Sequence, residues 1–460
     1  MPHVCYVVHG LPPDEHTGTP LVALGYAQAL SARGWAVTVV SGTDPTVTSW
    51  AAPETVQEPD EGFVRVRVPI SPLHGVGWAV HAASVRGVET PAAAGFARIL
   101  RRRRPDVVHV VDNVNLPLEL PEVAKSAGIP VVRTVSCAED LCALVAPVSP
   151  CSGPSGCCLP PLTAEHCAAC VAAARPDLLT ADPRERLHPG DERDDAQPRA
   201  PDDDARWRRN LLDALQRKRA RTVHQYTNVF DRIVFSNPAW RRYFEATLPL
   251  DPTRARTIAM GMDLRPWADA RSAGRSLDAS EPVVLGIAGT LDAVKGADAL
   301  LGAFTSPELL ARDDYRLRCI GGGDPALLAA LTAGNPRVEL HDRYRAEELP
   351  GLLADLHVGL APSYFETFHR VTREYLLAGL PVVASRVLGV LDVVHHGVNG
   401  LLFDHAEPGA FVRAVVAILD DRELLARLRT GAAATTIRSV DDEADELCAL
   451  YDEVVGAVAP

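Results

Sequence analysis

The sequence predicts an α/β protein built from two doubly wound, Rossmann-like domains. Twice along the chain a short apolar strand runs into a glycine-bearing loop and then a helix. The first instance is His3–Val8 before Gly10–Thr19, and the second is Val283–Ala288 before Gly289–Gly296. Repeats of this kind build parallel sheets whose ligands sit at the carboxyl ends of the strands. Length points the same way, since 460 residues exceed what one hydrophobic core ordinarily organises.

Composition narrows the function classes. Hydrophobic residues make up 47% of the chain, ample for burial, and charged residues an ordinary 23%. A formal net charge of -13 argues against a nucleic-acid partner, which needs a basic face, but a local site can still capture a small anion. Met1 runs almost directly into the first strand, without a charged leader and apolar signal core. No apolar run approaches the length of a bilayer span. The expectation is a cytoplasmic protein, with peripheral membrane contact left open.

Taken in order, strand His3–Val8 is followed by a helix over Leu21–Arg33, stopped by Gly34, and by a second strand over Ala36–Val40. Arg101–Arg104 before Pro105 reads as the basic last turn of a helix, where cations complement the dipole. Asp106–Val111 and Gly128–Val135 supply two further strands. Of the 10 cysteines, seven follow closely: Cys137, Cys142, Cys151, Cys157, Cys158, Cys167 and Cys170. In a cytoplasmic protein such clustering reads as a metal site rather than as disulfides. Arg175–Asp204, rich in Pro, Asp and Arg, reads as a flexible excursion. A helix over Trp207–Tyr226, a strand over Asp231–Ser236 and a short helix over Asn237–Phe244 complete the first half. In the second half, Arg318–Gly323 reads as a strand with a triple-glycine end, Arg337–Leu340 gives way to His341–Tyr344, Leu356–Ala361 leads into the next stretch, Pro408–Leu428 reads as helix, and Val440–Val455 as a final helix.

The stretch Ala361–Ser385 carries the densest chemistry. A Pro-Ser break leads to Glu366, Thr367 and Phe368, then a helix from about His369 to Ala378, stopped by Gly379 with Pro381 beyond. Helix amides from about Phe368 to Arg370 lack partners within the helix and point outward with the positive end of its dipole, which suits a diphosphate. Glu366 in the loop and Glu374 two turns inside the helix flank that anion site, placed to hold sugar hydroxyls.

This segment closely resembles the E-x7-E region of retaining GT-B glycosyltransferases, particularly family four, and Gly389–Phe403 continues the likeness. The resemblance implies a GT-B fold, with the two domains facing a cleft. It assigns 1–264 to an acceptor-side domain, 265–281 to a linker, 282–439 to a nucleotide-sugar domain, and 440–460 to a helix crossing back. Glu366 then contacts the donor sugar and Glu374 the ribose. Lys295, six residues after Gly289, places its ammonium on the donor diphosphate, and Gly18 matches a glycine turn near the donor phosphate and acceptor. The His341–Tyr344 region lies near the base in relatives.

Three positions depart from the family. Thr290 stands where an Arg is usual, removing a cation that Arg370 or Arg373 would have to replace. Ser136 replaces a His beside the donor sugar, leaving His109 or His369 as substitutes. His369 itself occupies a usual Gly. A subset of the family carries a similar Cys-rich insertion, which suggests Cys142, Cys151, Cys167 and Cys170 as ligands of a structural zinc. An iron–sulfur cluster needs the same ligands. No catalytic metal is expected, because enzymes of this type manage the diphosphate without one.

The expectation is therefore a glycosyltransferase moving a sugar from a nucleoside-diphosphate sugar to a hydroxyl of a polysaccharide, lipid-linked or small natural-product acceptor, with retention. Two rivals stand beside it. A pseudo-glycosyltransferase that binds nucleotide sugar but serves as a partner subunit or couples a non-sugar is favoured by Ser136 and Thr290. A GT-B-fold sugar-nucleotide epimerase is opposed by the E-x7-E segment and the phosphate loop.

Overall fold

The computed structural model describes residues 1–15, 18–43, 47, 49–58, 62–70, 90–136, 138–142, 163–174, 201–268, 281–341 and 343–457. The chain divides into two compact units. One carries the N-terminal sheet together with the chain's end from Asp441, and the other spans Met260–Val440.

The first unit holds eight strands: β1 (His3–Val8), β2 (Ala36–Thr43), β3 (Glu54–Glu58), β4 (Phe63–Pro69), β5 (Val107–Val110), β6 (Val131–Val135), β7 (Arg232–Phe235) and β8 (Ala255–Thr257). Their order is β3-β4-β2-β1-β5-β6-β7-β8. All neighbours are parallel except the β3–β4 pair. Strands β1 and β5 pair in register Val4 with Val107 and Val7 with Val110, and both are buried along their length. This explains their unbroken apolar sequence, since a parallel strand covered on both faces has no solvent side to alternate with.

The helix Pro91–Arg103 ends on Arg101, Arg102 and Arg103, and Arg104 closes it in the left-handed region at φ 52. The basic run thus complements a helix C-terminus. The long helix begins at Pro201, runs to His224, and passes into a π-turn over Gln225–Val229. The terminal helix Val440–Gly456 packs into the same unit. Tyr451 meets the Tyr6 hydroxyl at 3.1 Å and His109 Nδ1 at 2.5 Å.

Behind the carboxyl ends of β5 and β6 lies a buried charge network. The Arg133 guanidinium, 1% exposed, donates to Asp140 Oδ2 at 2.7 Å, to Glu139, and to the Val111 carbonyl at 3.1 Å. Asp140 also accepts from the Tyr226 hydroxyl at 2.7 Å, and the Lys218 ammonium caps its carbonyl at 3.0 Å. Ion pairs this deep are sustained by complete hydrogen bonding rather than by attraction alone.

The second unit is a six-stranded parallel sheet: β9 (Val283–Ala288), β10 (Tyr315–Ile320), β11 (Val338–His341), β12 (Val358–Ala361), β13 (Val382–Ser385) and β14 (Gly400–Phe403). Its order is β11-β10-β9-β12-β13-β14, the doubly wound arrangement whose ligand crevice opens where the winding reverses, between β9 and β12. The core under it gathers Leu285, Leu317, Leu300, Phe304, Val358 and Val415, none more than 4% exposed.

Two glycines bring the crevice walls together. A Cβ on Gly359 would lie 2.3 Å from the Tyr375 ring, and one on Gly296 would lie 2.0 Å from the Pro362 carbonyl oxygen. Only glycine permits either approach. Tyr375, seated on Gly359, accepts from the Ala288 amide at 2.7 Å, which ties the helix Arg370–Leu377 to the end of β9.

Candidate active site

The loops after β9 and β12 meet at the switch point and bring Lys295 to Glu366. The two side chains form an ion pair, with Glu366 only 12% exposed and Lys295 40% exposed. The Lys295 amide is anchored by Asp292 Oδ1 at 2.9 Å. Burial would raise the Glu366 carboxyl, but the neighbouring His369 imidazole and Lys295 ammonium, with hydrogen bonds from Lys295 and Ser363, outweigh it and hold it below the usual range. Glu366 is thus held ionised within the crevice.

Glu374, two turns into the helix, behaves oppositely. It pairs with Arg370, Oε1 to Nε at 2.7 Å, yet burial dominates over that pairing and pushes its carboxyl up. Tyr344 stands near this pair, its hydroxyl pushed up first by burial and then by the Glu374 charge.

Gly289, at φ 107, would present a Cβ 3.9 Å from Val371, so the loop after β9 faces the first turn of the helix. Thr290, exposed, follows it. Lys295, Glu366, Arg370 and Glu374 are therefore joined in two ion pairs carried by adjoining loops and one helix. Gly18 belongs to the other unit, where it is exposed and opens the helix Gly18–Ala32.

Several expectations need correction. The helix begins at Arg370, one residue past the expected start near His369, because His369 adopts a left-handed backbone, φ 45 and ψ 72, as its cap. The unpaired amides are those of Arg370 onward, and the Phe368 amide lies outside the helix. A non-glycine residue in this region costs about 1–2 kcal/mol, which accounts for the family's glycine here.

Arg373 does not replace the missing Arg at Thr290. Its guanidinium, 6% exposed, stacks 3.8 Å from the Phe368 ring centre. It also donates to the Gly389 carbonyl at 2.9 Å and pairs with Asp392 at 2.6 Å. It is a brace for the loop, and Phe368 contributes its ring to that brace.

Nor does His109 substitute for Ser136. It is fully buried between Tyr451 and Thr134, its Nε2 2.7 Å from Thr134 Oγ1, and burial with the Arg133 charge lowers it to about 3. Ser136 is buried as well, donating to the Val111 carbonyl at 3.3 Å.

The proposed metal ligands divide. Cys142, Cys167 and Cys170 are described, the last two one turn apart on the helix Ala164–Ala174. Cys151 lies outside the described residues, as do Cys137, Cys157 and Cys158, the 175–200 part of the excursion and the 269–280 part of the linker. Among the described residues, no group of three or more His, Cys, Asp or Glu is placed to hold a metal. The three cysteines do not form a site by themselves.

One pair escaped the sequence. At the switch point of the first sheet, His9 follows β1 and Asp112 follows β5. His9 Nδ1 meets Asp112 Oδ2 at 2.7 Å, and the His9 amide donates to Oδ1 at 3.0 Å. Burial would lower His9, but the charge and hydrogen bond of Asp112, with Glu15 and Glu139 behind it, raise it. The pair is 103 residues apart in sequence, so only the β1–β5 pairing reveals it.

Comparison with known proteins decides the family. A model described as "Glycosyl transferase 4-like domain" matches residues 17–261, and one described as "Glycosyl transferases group 1" matches 282–421. The chain belongs to the glycosyl transferase 4-like family. It is 31% identical over 240 residues to a D-inositol 3-phosphate glycosyltransferase of Thermobispora bispora, covering 46% of this chain and 54% of that protein. Over 213 residues it is 33% identical to the Xylanimonas cellulosilytica protein of the same name, covering 42% and 50%. The chain thus spans about half the length of the curated relatives it matches.

Among solved structures it resembles sucrose-phosphate synthase from Thermosynechococcus elongatus. The TM-score is 0.66 at 18% identity, covering 99% of this chain and 100% of that one. It also resembles Anabaena HepE in complex with UDP-glucose, with a TM-score of 0.58 at 15% identity and coverage of 98% and 99%. At such identities the likeness speaks for the fold, which is GT-B, and this glycosyltransferase fold has α/β units of Rossmann type. Among the described residues, no helix is long and apolar enough to cross a membrane.

Proposed function

We propose that this glycosyltransferase binds a nucleoside-diphosphate sugar at the β9–β12 switch point and transfers the sugar, with retention, to an acceptor hydroxyl. The observation that carries the reading is the Lys295–Glu366 pair at the mouth of the crevice, beside the N-terminus of the helix Arg370–Leu377. The ammonium and the helix amides neutralise the diphosphate as it leaves. Glu366 accepts hydrogen bonds from sugar hydroxyls, and Glu374 with Arg370 holds the ribose. The bond from the anomeric carbon to the β-phosphate oxygen breaks as the acceptor oxygen bonds to the same face of that carbon. The acceptor proton passes to the departing phosphate oxygen.

In the first unit, the His9–Asp112 pair is the group best suited to contact the acceptor, since Asp112 fixes the imidazole from both its ring and its backbone. The names of the relatives make D-inositol 3-phosphate a first acceptor to try. A structural metal on Cys142, Cys151, Cys167 and Cys170 remains part of this reading, supported only by the resemblance, and no catalytic step depends on it.

The test is the stereochemistry of the product. With UDP-, GDP-, ADP- and dTDP-glucose offered alongside D-inositol 3-phosphate and simple sugar acceptors, proton NMR is expected to show an α-linked product from an α-linked donor. A β-linked product would overturn retention. Conversion of the donor's sugar with no acceptor consumed would point to an epimerase instead.

A further inference from the structure

Glu366 is surrounded on three sides, and the third group is one that nothing in the family reading requires. His369 is 7% exposed and holds a left-handed backbone that glycine would adopt without strain. Its Nδ1 is engaged by the Thr372 hydroxyl. Its Nε2 lies 3.5 Å from Glu366 Oε1 and 3.4 Å from Ser363 Oγ. Thr372, Ser363 and Glu366 together fix the tautomer. A bare Nε2 lone pair would be repelled by the Glu366 carboxylate, which puts the ring proton on Nε2 and leaves Nδ1 to accept from the Thr372 hydroxyl. Burial, against the opposing pull of Glu366, lowers the ring to about 4, so it is neutral at ordinary pH. A strained residue persists where its surroundings over-determine it, and here the surroundings are the sugar-facing carboxylate.

We propose that His369 is a positioning residue of the donor site. Its neutral Nε2–H is held to Ser363 Oγ, which hydrogen-bonds Glu366, so that ring and hydroxyl together set one orientation of the carboxylate toward the sugar, with Lys295 closing on the same Oε1 that the ring faces. The proposal rests on the reading of Glu366 as a sugar contact and adds the group that orients it. Binding energy then divides in a characteristic way. The nucleoside diphosphate does not touch Glu366 in this scheme, so only the increment contributed by the sugar depends on His369.

The experiment is calorimetric titration of the intact protein with UDP-, GDP-, ADP- and dTDP-glucose and with each free nucleoside diphosphate. Three variants separate backbone strain from hydrogen bonding. His369→Gly relieves the strain and removes the donor group. His369→Asn tolerates the left-handed backbone and keeps an N–H donor. His369→Ala loses the donor and keeps the strain.

The expected result is that His369→Gly weakens the bound nucleotide sugar about tenfold, the order of one lost hydrogen bond, with nucleoside diphosphate affinity unchanged and thermal stability undiminished. His369→Asn is expected to recover most of the sugar increment. Equal sugar increments in wild type and His369→Gly, or equal losses in the Gly and Asn variants, would overturn the proposal. Glu366→Ala serves as the separate control. If it too leaves the sugar increment intact, the donor reading itself has failed. If it abolishes the increment while His369→Gly does not, only the role of His369 has. Binding of none of the four nucleotide sugars would overturn both.

Discussion

Lys295→Ala is expected to lower kcat/KM by about 10²- to 10³-fold, the usual loss when one preorganised group stabilising a developing charge is removed. The effect has two parts. On the proposed reading the departing diphosphate loses a cation, and Thr290, where the resemblance implies an arginine, offers no replacement. Glu366, 12% exposed, also loses a partner that holds its carboxyl ionised. The folded carboxyl is held low with Lys295 in place, so removing the ammonium moves it upward. The acid limb of the pH–rate profile therefore shifts to higher pH in the variant. Lys295→Arg should restore charge but not the geometry of a compact ammonium, giving an intermediate rate. Steady-state kinetics with the natural donor across pH 5–9 (roughly the range of normal carboxylate and imidazole titration) checks both parts. A Lys295→Ala enzyme with an unchanged profile would remove Lys295 from the mechanism.

The second large effect concerns stability. Arg133→Ala leaves Glu139 and Asp140 buried without their common cation, and breaking such a pair costs about 3–5 kcal/mol. For a unit of this size that is a loss of roughly 6–20 °C in the melting midpoint. The pH dependence distinguishes this cause from lost packing. In the native protein, burial would raise Asp140, but Arg133, Tyr226 and Lys218 hold it below its ordinary 3.8. That stability is present above pH 3.8 and is lost as pH falls through the lowered folded value. In Arg133→Ala the largest charge opposing burial is gone, and the Asp140 carboxyl moves upward. The deficit should then be greatest at neutral pH and shrink as the medium becomes acid enough to protonate it. Denaturant titrations at pH 4.5 and 8 (roughly either side of the expected transition) measure it. An equal deficit at both would assign the loss to packing.

Much of the second unit was legible because its strands are contiguous apolar runs and its loops carry glycine at the turns. The expected strand Val283–Ala288 coincides with β9. The β3–β4 pair was not read. Its edge strands mix charge with apolar residues, and Arg65, 1% exposed, looks polar in sequence while Ser41, at 2.8 Å, and Asp14, at 2.8 Å, satisfy it in the fold.

The candidate site shows the same division. Glu366, Glu374 and Lys295 were legible as motif positions. The commitment of Arg373 to Phe368, Gly389 and Asp392 was not, because a buried guanidinium and a ligand-binding one have the same letter. His369 left a trace in the sequence as a histidine on a family glycine, but its backbone was needed to give that trace a meaning. The His9–Asp112 pair left none, since parallel strands bring together residues that no local pattern connects.

In the proposed site, the crevice between β9 and β12 holds a nucleotide sugar through both carboxylates. The most direct measurement is a thermal-shift and mass-spectrometric screen of the protein with UDP-, GDP-, ADP- and dTDP-sugars, repeated on Glu366→Ala and Glu374→Ala. At a concentration about 100 times its dissociation constant, a ligand selective for the folded state adds about 2.7 kcal/mol of stability. One nucleotide series is expected to stabilise the wild-type protein and to release nucleoside diphosphate slowly. Glu374→Ala should weaken nucleotide and nucleotide sugar alike, and Glu366→Ala only the nucleotide sugar. Stabilisation by none of them, or by one that both variants bind as well as wild type, would contradict it.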